Sequence, residues 1–193
     1  MAADSVVRYA RGAHRRSVLI EAAGDLLLEQ GRAALSHRAV AARAGLPLAS
    51  TTYYFASADD LRDEALQHVA EAWVARAGAV VDALPAQLDA AQAAQAVVSV
   101  IGADAPRQQI LLMYERYLEA GRHQRLRPVV AAWNAALKEV VRQVLIRADL
   151  PAEEDNARLV LAVADGVAVT ALAEGTPADV AVGAALVVMF SLL

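Results

Sequence analysis

Residues 36–61 read SHRAVAARAGLPLASTTYYFASADDL, and this stretch decides the fold. Ser36 is a residue type that caps helix N-termini, because its hydroxyl accepts from an amide left unpaired in the first turn. Leu35 before it stands where an apolar staple to Val40 fixes the entry of the chain. The helix so opened is short and ends at Gly45, whose access to positive φ permits a tight turn. Small Ala41 lets two helices approach closely, and Leu46 plugs the junction. Beyond Gly45-Leu46-Pro47 a further short helix runs to about Tyr53, with Pro47 near its start, where a missing N–H costs nothing. Two short helices meeting at such a turn leave the second standing out from the body, with dimensions that suit the major groove of a duplex.

Working outward, residues 15–30 place Val18, Leu19, Ala22, Ala23, Leu26 and Leu27 at the spacing of an amphipathic helix closed by Gly31. Downstream, Ser57 and Asp60 form a Ser-x-x-Asp capping box, and Asp59 and Asp60 lie where the helix dipole favours anions. The remainder reads as long helices over about 58–82, 86–101, 106–120, 125–148, 153–174 and 177–192, separated by proline or glycine, and no strand alternation is visible. Thr176-Pro177-x-Asp179 reads as another capping signature. The fold class is therefore all-α. Residues 159–173 and the tail from Val180 are apolar on nearly every side. They pair either with their copies in a second chain, as a four-helix interface, or with a monomeric core.

A chain of 193 residues with 58% apolar residues can bury a substantial core, and the absence of cysteine excludes disulfides, zinc–cysteine sites and thiol nucleophiles. Its first 17 residues, MAADSVVRYARGAHRRS, are polar with no apolar run behind them, so no signal peptide is read and a cytoplasmic protein is expected. Residues 180–193 are shorter than the roughly 20 that a membrane span needs, so no membrane is expected as a partner. The net charge of -4 is unevenly placed: residues 1–57 hold seven arginines against four acids, a net of +3, and the rest is acidic. An electropositive head on an acidic body confines phosphate attraction to one surface. Lys138 is the single lysine.

The pattern over residues 15–61 resembles the TetR family of transcriptional regulators. It is carried, without gaps, by Gln30-Gly31, Ala41, Ala44-Gly45-Leu46, Tyr53-Tyr54-Phe55, Ser57 and Leu61. Weaker likenesses are Tyr114-Glu115-Arg116-Tyr117-Leu118 and Asp165-Gly166. The resemblance implies a three-helix DNA-binding helix-turn-helix domain with a basic arm at 1–57, joined to a helical-bundle effector-binding and dimerisation domain at 58–193. It implies a regulator, a repressor in the commoner case, released from a palindromic operator when a small, mostly apolar inducer changes the spacing of two DNA-reading heads. The coupling is then differential affinity of the ligand for two states.

Roles follow residue by residue. Arg38 matches a position that reaches bases or backbone, and Ser36 and His37 sit where backbone contacts occur. Pro47, Leu48 and Ala49 face base edges, where apolar groups touch thymine methyls. Ser50 and Thr52 offer hydroxyls and Tyr53 and Tyr54 phenols to phosphates, unless Tyr54 packs on Phe55. Three departures bear on affinity: Ala58 replaces a common lysine, Ala49 a common glycine, and Thr51 a common apolar residue. The segment with Arg8, Arg11, Arg15 and Arg16 either compensates by tracking the duplex or is a disordered tail.

For the effector site the implied lining is Trp73, Met113, Tyr114, Tyr117, Trp133 and Asn134, each of which has plain core as its alternative. Asp165, in an apolar segment, is either ligand-facing or a buried group satisfied across the dimer, and the second, structural role is favoured. No cofactor and no metal site are expected: Glu119 and His123 are four apart, whereas carboxylate-bridged bundles use three, and no second pair exists. The four histidines, His14, His37, His68 and His123, are scattered, and the chain has no HExxH, GxSxG, Walker loop or strand-borne GxGxxG. An enzyme is thus disfavoured. The competing reading is a helical interaction module that keeps the fold and has lost DNA binding.

Overall fold

The computed structural model describes residues 2–193, with side chains from residue 12 onward. Its α-helices are α1 (Ala2–Gln30), α2 (His37–Ala44), α3 (Leu48–Tyr54), α4 (Ala58–Asp82), α5 (Ala90–Ile101), α6 (Arg107–Arg122), α7 (Arg127–Arg147), α8 (Glu154–Glu174) and α9 (Ala178–Phe190). Short 3-10 turns follow α1 and α6. The all-α expectation holds, with no strand among the described residues. The chain divides into two compact units, residues 1–70 and 71–193, so that α4 belongs to both.

In the first unit α1 is longer than its apolar pattern announced. The backbone from residue 2 is already helical, so the basic segment continues α1 and is not a disordered tail. Alanine, arginine and valine without a proline impose no break there, and propensity carries the helix past the last core contact. The side chains of Arg8 and Arg11 lie outside the described residues. The core of the unit joins Leu19, Ala23, Leu26 and Leu27 of α1 to Leu35, Val40, Phe55 and Leu61. Leu35 and Val40 are both fully buried, as a staple requires. The Ser36 hydroxyl accepts from the Ala39 amide at 3.2 Å, and that of Ser57 from Asp60 at 3.1 Å.

In the second unit α5, α7, α8 and α9 pack on one another, and α6 packs on α7 and α8. α5 starts at Ala90, later than the pattern suggested. Asp89 and Gln92 form a reciprocal capping box, and Leu88 ahead of it gives its amide to the Arg147 carbonyl at 2.8 Å. α8 buries Ala157, Val160, Ala164, Ala168 and Ala171, one small-residue stripe along which α9 lies with Val182, Leu186 and Phe190. By length and composition alone α8 is apolar enough to cross a membrane; here that stripe is covered by protein. The capping reading of Thr176 is corrected: its hydroxyl donates back to the Ala171 carbonyl at 3.4 Å, so it closes α8, and Pro177 holds the N-cap position of α9 without a side-chain bond. A hydroxyl donates as readily as it accepts, and the orphan carbonyls of α8 were the nearer partners.

Candidate functional site

The helix-turn-helix is built by local chemistry. Gly45 takes the left-handed conformation at φ 64°, and the Leu46 amide returns to the Ala41 carbonyl at 3.0 Å. α3 is seated by Thr51, which is fully buried where an apolar residue is common. Its hydroxyl donates to the Leu48 carbonyl at 2.8 Å, so the polar group is satisfied within the helix and its methyl fills the core. The opposite face is open: Pro47, Leu48, Ala49, Thr52 and Tyr53 are exposed and Ser50 half-exposed. Leu48 at 46% and Tyr53 at 81% are large groups left in solvent.

The two tyrosines divide their work. Their rings meet edge-on at 4.9 Å, Tyr53 pointing away from the protein and Tyr54 half-buried with its hydroxyl beside Gly12 of α1. Thr52 turns its hydroxyl onto the Ala49 carbonyl at 3.2 Å. Ser36 is engaged as a cap, and His37 is half-buried with Nδ1 lacking a partner among the described residues.

The arginines of this unit differ in availability. Arg43 is clamped by Glu29 through two bonds, one of them 2.9 Å. Arg16 meets Glu64 at 2.5 Å and lies 5.7 Å above the Phe55 ring. Arg32 lies 3.8 Å from Asp59 and 3.9 Å from Asp63. Arg15 and Arg38 are exposed and pair with nothing among the described residues. The usable positive charge is therefore narrower than a count of arginines suggests, and Arg16 is structural.

In the second unit five of the six residues expected to line a pocket, Trp73, Tyr114, Tyr117, Trp133 and Asn134, are linked in one cluster, which Met113 joins through its backbone carbonyl. Trp73 and Trp133 are buried with ring centroids 6.4 Å apart, and Met113 is buried. Asp165 of α8 accepts from the Tyr114 hydroxyl at 3.2 Å and from Tyr117 at 3.0 Å, and the Asn134 side-chain oxygen lies 3.2 Å from the Tyr117 hydroxyl. Asp165 is thereby satisfied within its own chain and not across a dimer as expected, because the packing of α6 on α8 brings two phenols to it. Burial raises its carboxyl above the usual aspartate range, opposed by Arg116 and by the two tyrosine hydroxyls. Burial likewise raises the Tyr117 phenol to about 12 and also raises that of Tyr114, so both stay neutral donors.

Sequence reasoning missed the centre of this cluster, Arg116, which is only 2% exposed. Its guanidinium lies 4.2 Å from the Tyr117 ring centre and 4.3 Å from that of Trp133. It donates to the Met113 carbonyl and, at 3.0 Å, to the Tyr117 hydroxyl. The available signal was its register, since Leu112, Arg116 and Ala120 share one buried stripe of α6. Elsewhere Glu119 lies 3.7 Å from His123 and 3.3 Å from Arg122, an ordinary surface contact of a helix end. Lys138 of α7 is bound to Glu154 at the start of α8.

Residues 88–191 match the tetracyclin repressor-like C-terminal domain family. A search of curated protein sequences finds no match. Among solved structures, the multidrug binding protein EbrR complexed with ethidium is 35% identical with a TM-score of 0.69, covering 93% of this chain and 98% of that one. The transcriptional regulator SCO7518 from Streptomyces coelicolor A3(2) is 25% identical, with a TM-score of 0.68 over 92% of this chain and 98% of its own. A TetR family member, SCO1917 from Streptomyces coelicolor A3, is 34% identical, with a TM-score of 0.64 over 91% and 98%. The family match covers more than half of the sequence, the solved relatives span nearly all of it, and the chain belongs to the TetR family of transcriptional regulators, which are not enzymes.

Proposed function

We propose that this chain is a cytoplasmic, homodimeric repressor that holds a palindromic operator through α2 and α3 and releases it when a small, mostly apolar molecule enters the second unit. The observation that carries the reading is the open face of α3, with Leu48 and Tyr53 left in solvent, together with an unpaired, exposed Arg38 on α2, the helix against which α3 packs. Large apolar groups on a short helix, next to a cation without a counter-ion, suit base edges and phosphates. Residues 1–57 then read DNA and 58–193 serve the effector and the second copy. The contact set is Arg15, Ser36, His37, Arg38, Pro47, Leu48, Ala49, Ser50, Thr52, Tyr53 and Tyr54, with Ser36 and His37 acting chiefly through the capped start of α2.

The dimer reading rests on α8 and α9, which leave Leu159, Val169, Val180, Val187 and Val188 exposed while their opposite faces are buried. A second copy covers such a surface through an isologous four-helix contact. The ligand reading rests on the aromatic cluster and on EbrR, whose structures are of complexes with proflavin, ethidium and malachite green. A ligand that prefers the state unsuited to the operator lowers DNA affinity by that preference, commonly about 1–3 kcal/mol.

The test is a gel shift with the DNA upstream of the coding region, repeated across salt concentrations and with added ethidium. Binding that weakens steeply with salt and is relieved by the dye supports the proposal. A protein that ignores every duplex at low salt is the interaction module instead.

A further inference from the structure

We infer that α3 discriminates between duplexes by apolar contact with the 5-methyl groups of pyrimidines in the major groove, and that its hydrogen bonds carry no base preference. The inference rests on the proposed reading of α3 as the DNA-facing helix and adds the chemical feature of the duplex that it selects.

The helix reads LASTTYY and follows Pro47. It holds none of the side chains that read a base edge through two bonds: no arginine or lysine for guanine, no asparagine or glutamine for adenine, and no carboxylate for cytosine. Thr51 is fully buried, with its hydroxyl on the Leu48 carbonyl at 2.8 Å. The polar atoms of the open face are therefore hydroxyls. That of Thr52 already donates to the Ala49 carbonyl at 3.2 Å, leaving a methyl and an acceptor oxygen. Ser50 and Tyr53 offer the others. A hydroxyl both donates and accepts, so it suits the edge of any base pair and favours none.

What the face presents in quantity is carbon. Leu48 is 46% exposed, and Pro47, Ala49 and Thr52 are exposed beside it. In the major groove the apolar group of a base pair is the methyl on C5 of thymine. Contact between that methyl and Leu48 removes apolar area from water on both partners. Cytosine carries a methyl at the same carbon only when modified, so the shared chemistry is a pyrimidine 5-methyl group, from thymine or from 5-methylcytosine. The cations have a separate part. Arg38 is exposed and unpaired on α2, and residues 1–57 carry a net charge of +3, which attracts the phosphates of every sequence alike. That charge commits the open face to a duplex, and its carbon then sets the preference.

The test begins with selection of duplexes from a random, unmethylated library by the full-length protein. Each thymine of the enriched half-site is then replaced in turn by uracil, which lacks only the methyl. At a contacted position the uracil duplex should bind about fourfold less tightly, equivalent to about 0.8 kcal/mol per methyl. Leu48→Ala, Ala49→Gly and Thr52→Ser each remove carbon and no polar atom, and at least one of them should abolish the preference for thymine over uracil at such a position. Arg38→Ala should weaken both duplexes alike and leave the preference intact. A 5-methylcytosine–guanine pair that binds better than cytosine–guanine at the same place names both pyrimidines as sources of the methyl; no gain there names thymine alone. Uracil duplexes that bind as tightly as thymine ones throughout, or a preference that survives all three carbon-removing substitutions, overturn the inference and leave the DNA-reading role standing. If no duplex is enriched at low salt, that role falls and the inference with it.

Discussion

The roles proposed for Arg38 and Tyr53 rest on what these residues lack: neither is committed to the protein's own interior. Arg38→Ala should weaken operator binding evenly across sequences and reduce the slope of log affinity against log salt by about one, as loss of one phosphate contact demands. Filter binding over a salt series measures both quantities. Gly102 presents the opposite case. It sits at φ 71°, and a Cβ built there would lie 2.1 Å from the Trp73 ring. Gly102→Ala should therefore cost at least about 2 kcal/mol in urea unfolding, from backbone strain and overpacking together. Asp165 gives a pH signature. Its carboxyl is raised in the folded state by burial, so the stability tied to its protonation is complete below the unfolded value of about 3.9 and is lost as pH rises through the folded value. Asp165→Asn abolishes that proton, and the difference in unfolding free energy between the two proteins should shift in favour of the variant as pH rises across this window. Denaturation at a series of pH values reads it directly.

At the scale of elements, helix ends were legible where a short side chain meets a backbone group a few residues away. Ser36, Ser57, Gly31 and Gly45 all act as their sequence positions suggested, because such bonds depend on little beyond the local chain. Ser36→Ala should accordingly cost about 1 kcal/mol of stability, read as a lower urea midpoint. Thr176 was misread because the same hydroxyl can serve the helix behind it as well as the one ahead. The aromatic members of the α6–α8 cluster could be named from composition, but their union could not. Tyr114 and Asp165 are 51 positions apart, and only the packing of α6 on α8 brings them together. Arg116 hid for a related reason: arginine is expected in solvent, and its shelter between two rings depends on α7 supplying Trp133. The division of the head's arginines into tied and free ones was equally invisible, since it depends on carboxylates from other helices.

At the scale of the whole molecule, the proposed self-association has the exposed apolar side chains of α8 and α9 at its disposal. Val180 is 65% exposed and Val188 61% exposed, on a helix whose other face is buried. A double substitution, Val180→Glu with Val188→Glu, should leave the helical circular dichroism intact and convert a dimer to a monomer in sedimentation. A monomer loses the second half-site, so its hold on a palindrome should fall by orders of magnitude, on the order of a hundredfold, through lost multivalency. A protein that sediments unchanged would move the interface elsewhere.

The tie between Lys138 and Glu154 has a practical sequel. Lys138 is the single lysine of the chain, and it stands on the second unit with no counterpart among residues 1–70. Reagents that acylate amines, whether fluorescent esters or activated sensor surfaces, thus find one lysine, on α7, with the terminal α-amine as their other target. A molecule tethered through Lys138 with that α-amine blocked keeps α2 and α3 chemically untouched, and the proposed duplex capture can be followed on an immobilised protein in a single orientation.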